Sequence, residues 1–147
     1  MSTIRDMRAE DVSGVLEVEQ ECFTLPWSRK AFEAELDDND LAHYLVMEDE
    51  GRIIGYAGVW IVLDEAHVTN IAISQSYRRR GLGERLLIEL IRSAKQYGAL
   101  SMTLEVRVTN SAAQKLYEKL GFVKRGIRRQ YYSDTKEDAL IMWLDFL

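Results

Sequence analysis

The chain has 147 residues, 47% of them hydrophobic and 29% charged, with a net charge of -5. This is the size and composition of one folded domain whose core needs no disulfide, and it excludes global disorder. A duplex nucleic-acid binder carries a basic face, and the acidic balance argues against one. Cys22 is the only cysteine, so no internal disulfide can form, and with two histidines it cannot complete a Cys/His zinc site. Met1–Gly14 is studded with Arg and Asp and lacks the apolar centre of a signal peptide. The longest uncharged apolar run, Ile53–Leu63, is too short to cross a bilayer as a helix. The expectation is a soluble, cytoplasmic, single-domain protein spanning 1–147.

Hydrophobic periodicity gives the elements in chain order. Ser2–Met7 is a short strand, and a helix starting near Asp11 shows Val12, Val15, Leu16, Cys22 and Phe23 on one face. Ser28 is placed to cap a second helix carrying Phe32 and Leu36. His43–Glu48 and Ile53–Leu63 read as a hairpin around Glu50-Gly51, and Ala66–Ser74 as a further strand. The clearest helix follows, with Leu86, Leu87, Leu90, Ile91 and Ala94 on one face and Gly98 as its stop. Leu100–Val108 returns to strand. Asn110 caps a short helix bearing Ala113, Leu116, Tyr117 and Leu120, ended by Gly121. Phe122–Arg128 and Asp138–Phe146 close the chain as strands, the last apolar on both faces as if covered on both sides. The order β-α-α-β-β-β-α-β-α-β-β describes an α/β fold, a mixed sheet flanked by helices.

Arg78-Arg79-Arg80-Gly81-Leu82-Gly83 joins a strand to the clearest helix. Glycines let the backbone turn tightly, the first N–H groups of the helix point outward, and arginines attract polyanions. Together these make a pyrophosphate cradle; the alternative is a Gly-rich turn beside solvated arginines. A G-x-x-x-x-G-K-[ST] loop is absent, and Leu86 stands where a dinucleotide fingerprint needs its third glycine. Glu84 suits the helix dipole but does not help a phosphate.

Strand alternation sets Thr103, Glu105 and Arg107 on the face opposite Met102, Leu104, Val106 and Val108. Glu105 is then either a catalytic carboxylate or a solvated one paired with Arg107. Tyr117 shares a helix face with Ala113 and Leu116, as a core tyrosine also would. The acidic stretch Glu33, Glu35, Asp37, Asp38 and Asp40 reads as a solvated face, and Lys124, Arg125, Arg128 and Arg129 form a second basic cluster. Cys22 reads as core. His43 and His67 lie in strands without evident partners and receive no role.

Arg78-x-x-Gly81-x-Gly83 between strand and helix, then Leu104-Glu105-Val106, Asn110 and Leu116-Tyr117-Glu118-Lys119-Leu120-Gly121-Phe122, resembles the acetyl-CoA signature of the GNAT family of N-acetyltransferases. Pro26-Trp27-Ser28, Leu63-Asp64-Glu65-Ala66, Asn70-Ile71-Ala72-Ile73 and Arg128-Arg129-Gln130-Tyr131-Tyr132 are similar to its RimI-like group. That group acetylates the N-terminal alanine of a small-subunit ribosomal protein. It more usually has Gln where Arg78 stands, and a small or basic residue where Glu84 stands.

The resemblance implies acetyl-CoA as donor and no metal. Ile71, Ala72 and Ile73 would offer backbone groups to the pantetheine arm, on a strand parted from Leu100–Val108 by a V-shaped slot. Arg78, Arg79, Arg80, Gly81, Leu82, Gly83 and Glu84 would hold the pyrophosphate, and Asn110 would touch the cofactor besides capping its helix. Glu105 would be the base, directly or through water, and Tyr117 the acid that protonates the departing thiolate. Trp27, Tyr131 and Tyr132 would wall a groove for an extended peptide with Glu105 at its end. The acceptor is then a ribosomal protein N-terminus, with no direct nucleic acid and no membrane; the oligomeric state is left open by the sequence, with a monomer favoured. A small amine or a lysine side chain as acceptor, or a noncatalytic acyl-CoA-binding module, are the rival readings.

Overall fold

Ser28 and Asn110 both cap helices: the Ser28 hydroxyl accepts from the Ala31 N–H at 3.2 Å, and Asn110 Oδ1 from that of Ala113 at 3.2 Å. The computed structural model describes residues Ser2–Phe146. In chain order they form β1 (Thr3–Asp6), α1 (Val12–Cys22), α2 (Arg29–Asp37), β2 (Ala42–Asp49), β3 (Arg52–Val62), β4 (Glu65–Ile73), α3 (Leu82–Gln96), β5 (Ser101–Arg107), α4 (Ser111–Lys119), β6 (Val123–Arg128) and β7 (Ala139–Asp145). Short 3₁₀ turns at Ala9–Asp11 and Gln75–Tyr77 are the only additions to the order read from periodicity.

All the strands join one sheet in the order β1-β2-β3-β4-β5-β7-β6. Only β4 and β5 run parallel; every other neighbouring pair is antiparallel. One face is covered by α1 and α2, whose Val12, Val15, Val18 and Phe32 pack on Tyr44, Val46 and Tyr56. The other receives Leu86, Leu87, Leu90 and Ala94 of α3, packed with Met102, Leu104, Val106, Tyr117 and Phe122. β3 lies in the middle and is buried almost throughout. Among the described residues no helix is long and apolar enough to cross a membrane.

Two irregularities of β4 shape the site. Gly58 pairs with Asn70 and Val59 with Val68, so Thr69 is an extra residue, a bulge. Because side chains alternate, one extra residue exchanges the faces beyond it. Ala66 and Val68 face the α3 core, and so do Ile71 and Ile73, while Ala72 turns to the α1 side. The second irregularity is that β4 pairs with β5 only at Glu65–Ser101, Ala66–Met102 and His67–Thr103. β5 stays paired with β7 as far as Arg107 and β4 with β3 as far as Ile73, so the two halves of the sheet splay apart. The strands part beyond His67, which is the slot expected from the resemblance.

Several expectations need correction. Phe23 is not on the core face of α1; it follows the helix in extended conformation and is exposed. β7 lies inside the sheet, yet only Ala139 and Met142 are buried, because α1 and α2 pack on β2, β3 and β4. Cys22 is half-buried rather than core, its thiol donating to the Ile73 carbonyl at 3.4 Å. Glu35 leaves the solvated acidic stretch and is buried beneath α2. Its carboxylate accepts from Tyr44 Oη at 2.9 Å, Trp60 Nε1 at 2.6 Å and Asn39 Nδ2 at 2.7 Å. Tyr44 reaches it by lying flat on Gly58, where a Cβ would fall 2.2 Å from the ring.

Candidate active site

The parting of β4 from β5 opens a cavity of about 440 Å³. Its walls are β4 from Val68 to Ile71 and β5 from Leu104 to Arg107, and Trp27, Asn110, Tyr117, Tyr131 and Tyr132 also line it. Glu105, Tyr117, Asn110 and the three aromatic residues chosen from sequence therefore share one enclosure.

Glu105 does not pair with Arg107. Its carboxylate, 9% exposed, takes His67 Nε2 at 2.7 Å and 3.1 Å and Arg128 Nη1 at 3.2 Å. Burial pushes its pKa up, but the bonds and charges of His67 and Arg128 outweigh burial and hold it below the usual carboxylate range. Arg107 turns the other way, to Asp134 at 2.9 Å and Glu137 at 3.4 Å, with its guanidinium 4.0 Å from the Tyr132 ring centroid. It thereby ties the loop after β6 to β5.

Tyr117 is core and functional candidate at once. Its ring is 8% exposed and packs 5.8 Å from that of Phe122. Its hydroxyl has no hydrogen-bond partner among the described residues and is not sealed off, so it opens on the cavity. Burial pushes its pKa up to about 12, so the group is a phenol at neutral pH.

The aromatic walls are held by contacts that sequence reading missed. Glu19 of α1, 2% exposed, accepts from the Trp27 N–H at 2.8 Å and from the Tyr56 hydroxyl. Trp27 packs on Phe32 with ring centroids 5.2 Å apart. Tyr131 and Tyr132 meet edge to face at 5.1 Å, and Arg128 lies over Tyr131 at 4.7 Å. Thr24 reaches Asp134 at 2.5 Å, joining the loops after α1 and β6.

The Arg/Gly loop fits an anion. Arg79 and Gly81 take left-handed φ values of 66° and 73°, and nothing stands within 4 Å of where a Gly81 Cβ would be. Among the described residues the N–H groups of Arg79, Arg80, Gly81, Leu82, Gly83 and Glu84 have no acceptor, as expected of a loop entering a helix. The side chains are less committed. Arg78 folds back on the Ile73 carbonyl at 3.3 Å and Cys22 Sγ at 3.2 Å, Arg80 lies over the Tyr77 ring, and Glu84 pairs with Lys119 at 2.8 Å. The outward N–H groups of this loop are the groups open to an anion, while the Arg78, Arg80 and Glu84 side chains are engaged elsewhere. The adjoining edge of β4, Ile71, Ala72 and Ile73, pairs with β3 on one side and faces the slot on the other.

Residues 12–122 match the Acetyltransferase (GNAT) family. The chain belongs to that family. A Bacillus subtilis (strain 168) protein, provisionally named a ribosomal protein bS18-alanine N-acetyltransferase, is 48% identical over 143 residues, covering 97% of this chain and 95% of its own. The Escherichia coli (strain K12) ribosomal protein bS18-alanine N-acetyltransferase is 40% identical over 146 residues, covering 98% and 97%. The crystal structure of the ribosomal-protein-S18-alanine N-acetyltransferase from Escherichia coli superposes with a TM-score of 0.91 at 38% identity, over 99% of this chain and 94% of that one. Ard1 from Thermoplasma volcanium superposes with a TM-score of 0.88 at 26% identity, over 99% and 98%.

His67, Arg128, Glu19 and Asn70 are among the polar residues of this acetyltransferase site that received no side-chain role from sequence. Alternation does put His67 and Glu105 on like faces of their strands. Their meeting depends on the β4–β5 register, which no local pattern carries.

Proposed function

We propose that this acetyltransferase moves the acetyl group of acetyl-CoA onto the N-terminal alanine α-amine of the small-subunit ribosomal protein bS18. The observation that carries the reading is the slot itself, with Glu105 opening to the α1 side of the sheet and Tyr117 to the α3 side. The names of the relatives supply the acceptor.

The N–H groups from Arg79 to Glu84 take the pyrophosphate, the unpaired edge at Ile71–Ile73 guides the pantetheine, and Asn110 borders the thioester. The acceptor enters between Trp27, Tyr131 and Tyr132. An α-amine has a pKa of about 7.7–8.0, so a useful fraction is neutral at pH 7. Taking a proton from the ammonium would run uphill by more than about 3 units to a carboxylate, or roughly 4 kcal/mol. Glu105 therefore receives the proton as nitrogen attacks and becomes acidic. The N–C bond forms, the C–S bond breaks, the amine proton passes to Glu105, and the Tyr117 phenol gives its proton to the thiolate. Glu105 then loses its proton to solvent through His67, 39% exposed, and the Tyr117 phenolate regains one from solvent as coenzyme A leaves the cavity.

The test is free-thiol release from acetyl-CoA with a peptide bearing the alanine-first N-terminus of bS18, against the same peptide with its α-amine blocked. Release with the free peptide alone is expected. Release with both would move the reaction to a side-chain amine.

A further inference from the structure

Asn70 stands opposite Glu105 in the slot and is 8% exposed. Its Oδ1 accepts from the Thr69 hydroxyl at 2.7 Å, and Tyr44 Oη, whose one proton goes to Glu35, stands 3.2 Å away. Both neighbours are themselves fixed: Thr69 is the bulge residue, and Tyr44 is pressed on Gly58 and tied to Glu35. The amide nitrogen donates no hydrogen bond among the described residues, and no buried polar side-chain atom there lacks a partner. Nδ2 is therefore open to the cavity, with two N–H donors held in place by the anchored oxygen.

The bulge decides which substrate this amide meets. Asn70 shares its face with Ala72 and Tyr44, on the α1 side. Glu105 projects to that side too, opposite Leu104 and Val106, whereas Tyr117 belongs to the α3 side. Were the ladder regular through Thr69, position 70 would share the face of Ala66 and Val68 and point into the α3 core. The donor pair thus sits beside the base, where the acceptor and not the thiolate arrives. The atom of a peptide N-terminus that accepts hydrogen bonds next to its amine is the carbonyl oxygen of the first residue.

We infer that Asn70 recognises the first carbonyl of the acceptor, so that the site takes α-amino amides and discriminates against amines with no adjacent carbonyl. This rests on the α-amine reading above. The carbonyl held by Asn70 orients the amine lone pair towards the thioester, and a simple amine or a lysine side chain offers nothing to that donor.

The experiment compares kcat/KM of wild type, Asn70→Ala and Asn70→Asp on two acceptors, the alanine-first peptide and its analogue with an E-alkene in place of the first peptide bond. On the peptide, Asn70→Ala should lose about 3- to 10-fold, the size of one neutral hydrogen bond. Asn70→Asp should lose more, since it turns a carboxylate oxygen towards the carbonyl. On the alkene wild type and Asn70→Ala should agree within about 2-fold, because there is no carbonyl to lose. Equal losses on both acceptors would overturn the role of Asn70 and make it a support of the bulge. Asn70→Asp matching wild type on the peptide would also overturn it. Wild type that ignores the peptide and turns over a lysine side chain or small amine would overturn the α-amine reading, and this inference with it.

Discussion

His67 Nε2 lies 2.7 Å from Glu105 Oε2, joining the last residue of β4 that pairs with β5 to the carboxylate two residues beyond its partner Thr103. The contact sits where the two strands separate, so the fold's one parallel junction and its candidate base are the same place. Arg128 completes the enclosure from β6.

Glu105→Gln removes the proton acceptor and keeps the shape. We expect kcat to fall by about 10²- to 10⁴-fold with the Kd for coenzyme A nearly unchanged. Steady-state thiol release and calorimetric titration separate the two. For wild type, kcat/KM should rise with pH through the amine pKa near 8, because Glu105, held below the usual range, is already ionised.

Tyr117→Phe deletes only the hydroxyl that opens on the cavity. The expected result is slower acetyl transfer in single-turnover measurements with an unchanged melting temperature, since that hydroxyl has no protein partner among the described residues. With the phenol pushed up to about 12, wild type should show no loss of rate from its ionisation below about pH 10.

Asp11 anchors the N-terminus. Arg5 donates to it at 2.7 Å and 2.9 Å, and the Arg8 N–H at 2.8 Å. The Arg5 bonds, opposed by burial and aided by Arg8, hold the Asp11 pKa below the ordinary value. A pKa lower in the folded state gives stability that is present above the unfolded value of about 3.9 and fades as pH falls through the folded one. Asp11→Asn should therefore cost about 1–3 kcal/mol in urea unfolding at pH 7, and less near pH 3.

Gly58→Ala would place a methyl group inside the Tyr44 ring. Tyr44 must move, and its hydroxyl leaves Glu35, Thr69 and Asn70 together. A loss of about 1–3 kcal/mol in stability is expected from the overpacking alone. Peptide kcat/KM should fall as well, because Asn70 and its donor Thr69 lose the Tyr44 hydroxyl that both pack against.

Much of this fold was legible because its signals are local. Ser28 and Asn110 announce helices by capping chemistry, and the apolar stripe from Leu86 to Ala94 identifies α3 without help from any neighbour. Glu105 was legible as a face of a strand, and Tyr117 as a face of a helix. What escaped depends on register: the partner of Glu105 is His67, not Arg107, and only the β4–β5 alignment decides that. Burial of Glu35 was equally hidden, since nothing in an acidic stretch tells which carboxylate lies over Trp60 and Tyr44. The bulge at Thr69 follows from how β3 and β4 meet, so the direction of Asn70 is a tertiary fact.

The most direct measurement is to incubate the protein with acetyl-CoA and an alanine-first bS18 peptide that also contains a lysine, and to locate the added acetyl group by fragment mass spectrometry. Acetyl on the α-amine alone, abolished by Glu105→Gln, is the expected result. Acetyl on the lysine side chain, or transfer that survives Glu105→Gln at the wild-type rate, would contradict it.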